Sequence, residues 1–352
     1  MQKTQKKATV RDVAKKAGVS PATVSRVLSQ SDYIVSHSMR KKVIQTAEEL
    51  GLFLDVNDKQ KPEQKIEVGI IVPNFSNPYF WQIAIGVESE AYREGISVYL
   101  CNSYRNAAQE TKYLHSLFRK GISGILLSPT SDNHEEIAAL QKQGLIVILL
   151  EQSAADLNCG KILFNYLKAA KMAIEYLSSN GHKQIAFVSA PITLESRHET
   201  FLGYKLGLLE SGLTFRDDYV ICVDYKANLN DEFYEYELGR ACATPFSRLK
   251  PMPTAVFCLN DMIALGFING LNSLGIHAPD DVSVIGLDNI QASVISTPTL
   301  TTISQPSFEI GRLAYKMLLD AITNQKSGDF SISVEPSLIE RESVKNIMDF
   351  HD

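Results

Sequence analysis

Two sets of residues in this sequence have types and spacings suited to chemistry. The first lies in TVRDVAKKAGVSPATVSRVL, Thr9 to Leu28. Arg26 can reach a guanine edge or a phosphate, while Thr23 and Ser25, near a positive helix N-terminus, suit phosphate oxygens. Small neighbours such as Ala22 let such a helix lie close to base edges. Lys3, Lys6, Lys7, Arg40, Lys41 and Lys42 add charge that seeks phosphate. The second set stands at the ends of apolar runs: VPNFSNPYF after the first run, then Glu151, Tyr225, Asn260-Asp261 and Asp288-Asn289. Carboxylates and amides offer bidentate partners to hydroxyls, and aromatic rings offer a flat face to C–H groups, which suits a polyhydroxylated ligand. The same polar residues can instead cap the helices that follow. The sequence leaves both readings open.

The first set needs short helices to present it. Thr9 with Asp12 three residues on resembles a capping box, and Val10, Val13, Ala14 and Ala17 fall on one helical face. Gly18 ends that helix, Ser20 caps the next, and Pro21 takes its first position. Val24, Val27 and Leu28 then face inward, with Ala22, Thr23, Ser25 and Arg26 outward. A third helix is expected from Ser36, burying Val43, Ile44, Ala47 and Leu50. Three short helices with a tight turn between the first two make a helix-turn-helix module.

The second set needs buried strands. EVGIIVP (67–73), SVYLCNS (97–103), GILLSP (124–129) and IVILLE (146–151) form one group. QIAFVSA (184–190), VICVD (220–224), AVFCLN (255–260) and SVIGLD (283–288) form another. Amphipathic helical stretches separate them, so doubly wound α/β layers in two lobes are expected. In such sheets ligands bind beyond the carboxyl ends of the strands.

Composition sets the limits. At 352 residues the chain predicts more than one domain, and 45% hydrophobic with 21% charged residues is ordinary for a folded protein. The net charge is −5, yet residues 1–50 hold seven Lys and three Arg against two Asp and two Glu. A basic head on an acidic body points to a polyanion partner for the head alone. The polar, basic N-terminus is no signal peptide, and the apolar runs are too short to span a bilayer. Five scattered Cys without a CxxC pair predict reduced thiols in a cytoplasm, with neither disulfides nor a metal site. The sequence carries no GxGxxG after a strand, no Walker A, no HExxH and no GxSxG, so an enzyme is not expected, nor a cofactor.

The quoted head segment, continuing into VSHSMRKKVIQTAEELG, resembles the N-terminal signature of the lactose/galactose repressor family. GIIVPNFSNPYFWQIAIGVESEA, GHKQIAFVSA, FCLNDMIALGFINGLNSLGIHAPDDVSVIGLDN and TPTLTTISQP are similar to that family's effector-binding core. The resemblance implies a lambda-repressor-like helix-turn-helix over 1–52 and a linker over 53–65. It also implies a type I periplasmic-binding-protein-like core over 66–345, its lobes joined by three crossovers. The first lobe is expected at 66–164 and 297–328, the second at 165–292 and 330–345.

Carried over by position, Pro21, Ala22 and Arg26 match the family's base-reading sites and Thr23 and Ser25 its phosphate contacts. Thr9, Ser20, Ser36 and Arg40 complete the expected DNA-binding set. Ser76, Asn77, Phe80, Glu151 and Gln305 match the effector pocket of the first lobe, and Tyr225, Asn260 and Asp288 that of the second. The implied protein is a repressor of carbohydrate-utilisation genes. It binds near-palindromic duplex operator DNA as a homodimer and responds to a sugar-like effector. Without trailing Leu heptads, a dimer is expected rather than a tethered tetramer.

Three departures from the family pattern stand out. The family's minor-groove hinge segment reads LFLDVNDKQK, with Lys61 in place of the wedging Leu and Pro62 directly after it, so a polar linker is expected. The Arg three residues before the GY pair is Thr200, for which Arg197 is the available substitute. The Asp-Asn pair opening the second lobe is Phe164-Asn165. With two polar contacts altered, the effector is expected to be held differently, or the core to read a partner protein instead.

Overall fold

The computed structural model describes residues 9–28, 35–50, 52, 66–130, 134–154, 157–223, 225, 233–324 and 328–348. They fall into two units, one within Met1–Lys65 and one within Ile66–Asp352. The expected linker, 53–65, and Lys3, Lys6 and Lys7 lie outside the described residues.

In the first unit, α1 (Val10–Ala17), α2 (Pro21–Leu28) and α3 (His37–Glu49) enclose a small core of Val13, Ala14, Ala17, Val24, Val27, Val43 and Ala47. The Thr9 amide donates to Asp12 Oδ2 at 2.8 Å and the Asp12 amide to Thr9 Oγ1 at 3.4 Å, so two orphan donors of the first turn are satisfied reciprocally. Gly18 sits at φ 69°, the left-handed conformation that lets α1 stop and α2 turn away. One expectation fails in α3. Ile44 is 41% exposed, and Thr46 is buried instead, its hydroxyl bonded to the Lys42 carbonyl at 2.8 Å. The buried stripe follows positions 43, 46, 47 and 50, which turns position 44 outward.

The second unit contains β1 (Glu67–Val72), α4 (Pro78–Arg93), β2 (Ser97–Asn102), α5 (Ala107–Arg119), β3 (Gly124–Leu127), α6 (Glu135–Gln141), β4 (Ile146–Leu150), β5 (Gly160–Phe164) and α7 (Tyr166–Ser179). It continues through β6 (Ile185–Val188), α8 (Glu195–Glu210), β7 (Val220–Ile221), α9 (Tyr234–Ser247), β8 (Ala255–Cys258), α10 (Asp261–Asn272), β9 (Ser283–Asp288) and α11 (Ala292–Ile295). It closes with β10 (Thr301–Ser304), α12 (Ser307–Asn324), β11 (Phe330–Val334) and β12 (Ser337–Ile339). β3 and β8 are apolar along their whole length because helices cover both faces of each sheet.

Each sheet has six strands among the described residues rather than the expected four. One runs β11-β5-β4-β3-β1-β2 and the other β12-β10-β9-β8-β6-β7. This corrects two lobe boundaries. Residues 301–304, assigned by sequence to the first lobe, pair with β9 in the second sheet; residues 330–334, assigned to the second lobe, pair with β5 in the first. The chain therefore passes between sheets after β5, after β10 and after β11. Two glycine pairs set the helix layers. A Cβ on Gly86 or Gly311 would strike the facing backbone where α4 meets α12, and a Cβ on Gly239 or Gly266 would do so where α9 meets α10. The carboxylate of Asp261, fully buried, accepts from the Ile290 amide, Ser293 Oγ and Thr302 Oγ1 at 3.0, 2.6 and 2.6 Å. It is a structural tie between α10 and the segments around β9 and β10, not a ligand contact.

Candidate functional site

The head presents one polar surface. On α2, Pro21, Ala22, Ser25 and Arg26 are exposed, as is Ser20 before it. Thr23, expected to face outward, is half-buried. Its amide donates to Ser20 Oγ at 3.0 Å, and the two hydroxyls are 2.8 Å apart, so capping the helix draws it inward. Ser36 precedes α3 and is exposed, and its hydroxyl lies 3.3 Å from that of Ser38. Arg40 is half-buried on the first turns of α3. Thr9, exposed at the start of α1, is committed to Asp12.

The second site is a cleft of about 290 Å³ where the carboxyl ends of both sheets converge. Seven of the sequence-expected residues line it: Asn77, Phe80, Glu151, Arg197, Asn260, Asp288 and Gln305. Two expected residues do not. Ser76 is exposed on the turn before α4, its amide bonded to Asn74 Oδ1 at 3.0 Å. Tyr225 packs behind Tyr234, ring centroids 5.9 Å apart, and Tyr234 takes the lining position. The strand meant to deliver Tyr225, β7, ends at Ile221, well short of it.

The two readings of the strand-end residues both hold for Asn77 and Asn260. Asn77 Oδ1 caps α4 by accepting from the Tyr79 amide at 2.9 Å, and Asn260 Oδ1 caps α10 through the Ile263 amide at 2.9 Å. Both residues also line the cleft. Tyr166 donates to Glu151 Oε1 at 2.7 Å and Ser128 to Oε2 at 2.8 Å, while Gln305 donates to Asp288 Oδ1 at 2.9 Å. Burial pushes the Glu151 carboxyl up from its ordinary value. Burial, reinforced by the negative neighbours Asp261, Glu151 and Glu235, pushes Asp288 well above the carboxylate range. Carboxyls biased toward the protonated form can donate as well as accept, as ligand hydroxyls require. Glu151 and Asp288 are both held at positive φ, 70° and 124°, a strained backbone typical of functional sites.

Five buried polar atoms on the lining have no hydrogen-bond partner of good geometry: Tyr79 Oη, Arg105 Nη2, Thr130 Oγ1, Gln152 Oε1 and Gln305 Oε1. Each such atom costs free energy unless something bonds it. Arg197, the substitute suggested for the missing family Arg, lines the cleft beside Thr200, with Nη1 donating to the Pro191 carbonyl at 2.7 Å. Phe164, standing where the family has Asp, is buried edge-on against Tyr166 at 5.0 Å, so it supports the Tyr166–Glu151 bond from behind. Sequence reasoning missed Tyr79, Arg105, Ser128, Gln152, Tyr166, Tyr234 and Glu235. Several follow strand ends, and the same strand-end rule applied to β2 and β5 would have found Arg105 and Tyr166. Among the described residues no His/Cys/Asp/Glu group is placed to hold a metal, and no described helix is long and apolar enough to cross a membrane.

Comparison with known proteins fits this construction. Residues 9–52 match the family "Bacterial regulatory proteins, lacI family", and residues 174–344 match "Periplasmic binding protein-like domain". The HTH-type transcriptional repressor PurR of Pasteurella multocida is 31% identical over 341 residues, covering 96% of this chain and 99% of the relative. Catabolite control protein A of Priestia megaterium is 34% identical over 340 residues, with 96% and 99% covered. Among solved structures, a LacI family transcriptional regulator from Enterococcus faecium with bound ribose has TM-score 0.71 and 28% identity over 80% of this chain and 100% of its own. The Lac repressor dimer bound to operator and the anti-inducer ONPF has TM-score 0.73 at 24% identity, over 97% and 100%, and so shares the fold. A capped helix-turn-helix, a two-sheet core and 31% identity to a curated repressor over nearly the whole chain make this protein a member of the LacI family of DNA-binding transcriptional regulators.

Proposed function

We propose that this regulator reads a near-palindromic operator as a homodimer and is controlled by a neutral, sugar-like effector bound in the cleft of its core. In the head, Pro21, Ala22 and Arg26 read base edges; Thr23, Ser25, Ser20, Ser36, Thr9 and Arg40 position the helices on phosphates. The exposure of Arg26 and Ala22 on α2 supports this assignment. A dimer sets two α2 helices about one DNA turn apart, and effector binding changes lobe angle and therefore head spacing, a coupling of about 1–3 kcal/mol in typical allostery. With Lys61 and Pro62 in the linker, the operator is bent less than by relatives that wedge a Leu into the minor groove. A strong central kink in a bending assay would contradict that.

The observation that carries the effector reading is the cleft's chemistry. Buried oxygens of Gln152 and Gln305 without a hydrogen-bond partner of good geometry stand with the Tyr79 hydroxyl, which interacts with Glu151, and with Glu151 and Asp288, whose carboxyls are biased toward the neutral form. The cleft volume lies near the lower bound for small-molecule sites, about 300 Å³. Thermal-shift titration against sugars, phosphorylated sugars and nucleosides tests it. Concentration-dependent stabilisation by a neutral sugar is the expected result. Stabilisation by nucleosides alone replaces the ligand class. No stabilisation by any of them favours control by a partner protein.

A further inference from the structure

Side chains that line one side of the cleft are already engaged by carboxylates from the other lobe. Asn77, at the start of α4 in the first lobe, donates its Nδ2 to Glu235 Oε2 at 2.9 Å. Arg105, on the turn after β2, places Nη2 3.1 Å from Glu235 Oε1 and its guanidinium 4.7 Å from the Tyr234 ring centroid. Both partners stand at the N-terminus of α9, which packs on the second sheet. Glu195, the first residue of α8 in the same lobe, accepts from the Ser153 amide at 2.9 Å and also from Ser153 Oγ. Ser153 belongs to the first lobe, two residues beyond Glu151. It borders, with Glu195, a smaller cavity of about 160 Å³ that shares Glu151 with the main cleft.

We propose that Glu235 and Glu195 form a two-point latch that holds the lobes closed in the absence of effector, with Glu235 occupying the Asn77 donor that an effector hydroxyl would otherwise use and pairing with the Arg105 guanidinium. The Arg105–Glu235 pair is well shielded, with side chains 25% and 12% exposed, so separating it strands charge in a poorly hydrated place. Each latch carboxylate begins a helix, so lobe opening moves it as part of a rigid element rather than as a loose side chain. An effector then enters by displacing Glu235 from Asn77 rather than by filling an open mouth. A ligand shifts such an equilibrium only by its differential affinity for the two states. The latch therefore sets how much effector is needed.

The test uses the full-length protein without any ligand, so its outcome is independent of which effector, if any, the cleft binds. Spin labels carried on noncanonical residues at Ala108 on α5 and Ala241 on α9, both exposed, report the distance across the mouth by pulsed electron spin resonance. Wild type is expected to give one narrow distance, and the Glu195→Ala/Glu235→Ala variant a broader distribution shifted to longer values. A broad distribution in wild type, or one in the variant indistinguishable from wild type, overturns the latch. If circular dichroism shows that double variant to be unfolded, Asn77→Ser/Arg105→Ala/Ser153→Ala removes the latch's side-chain contacts from the opposite lobe while keeping a helix-capping residue at position 77, and is judged by the same criterion.

Discussion

The head and the cleft reach their geometry by opposite routes. In the head the decisive bonds join near neighbours: Thr9 with Asp12, and Ser20 with Thr23, each three residues apart. In the cleft, Asn77 meets Glu235 across 158 residues, and Gln305 meets Asp288 only because β10 lies beside β9. A recognition surface built on one capped helix needs little beyond its local sequence. A cleft between two sheets exists only once both sheets have assembled and the chain has passed between them three times. Mutations in the head should therefore act locally, and mutations in the core should act through packing far from the residue changed.

The strongest way to break the cleft while leaving the head's sequence intact is Gly266→Ala. Its new methyl would strike the Tyr236 backbone of α9, and the expected loss is about 3 kcal/mol, read as a lower midpoint in urea. If the facing helices absorb that methyl without loss, the close approach of α9 and α10 is not what positions Glu235. Glu110 sharpens the same point through pH. Burial raises its carboxyl from 4.5 to about 7, while Oε2 accepts the Thr130 amide at 2.9 Å. The folded state thus holds a proton that the unfolded chain releases, so this group's contribution to stability is full below pH 4.5 and falls as pH rises to about 7. Glu110→Gln should leave stability at pH 4 nearly unchanged and raise it by about 2–3 kcal/mol at pH 8, seen as a higher and flatter melting temperature against pH.

In the head, Arg26→Ala should weaken binding to DNA selected by the wild-type protein by roughly 1–3 kcal/mol without altering the melting of the core. Unchanged affinity in a footprinting titration would remove Arg26 from the interface. The smallest effect is expected at Gly18, whose φ of 69° an alanine adopts only with strain. Gly18→Ala should cost about 1 kcal/mol. The readout is the melting of the helix signal of the head.

Much of this molecule could be read before any coordinates. The head helices, their caps and the family signature were all visible, because cap, turn and apolar face repeat within one or two turns. Ile44 and Thr23 depart from that local pattern because a three-helix contact, or a competing cap, chooses between two faces of similar polarity. In the core the buried strands were visible as apolar runs, and seven of nine expected cleft residues line the cavity. Ser76 and Tyr225 failed because a turn and an early strand end moved them off the lining.

The sequence by itself determined the head helices, eight of the twelve described strands, the basic head and the polar strand ends, since these depend on local propensity, charge and the period of burial. Only the tertiary structure decided which sheet owns residues 301–304 and 330–334, which backbone contacts forbid a methyl at Gly86 and Gly266, and that Glu235 reaches Asn77. Strand pairing and interlobe contact join segments distant along the chain. Their free energy comes from surfaces that meet only in the folded state, so no local pattern encodes them.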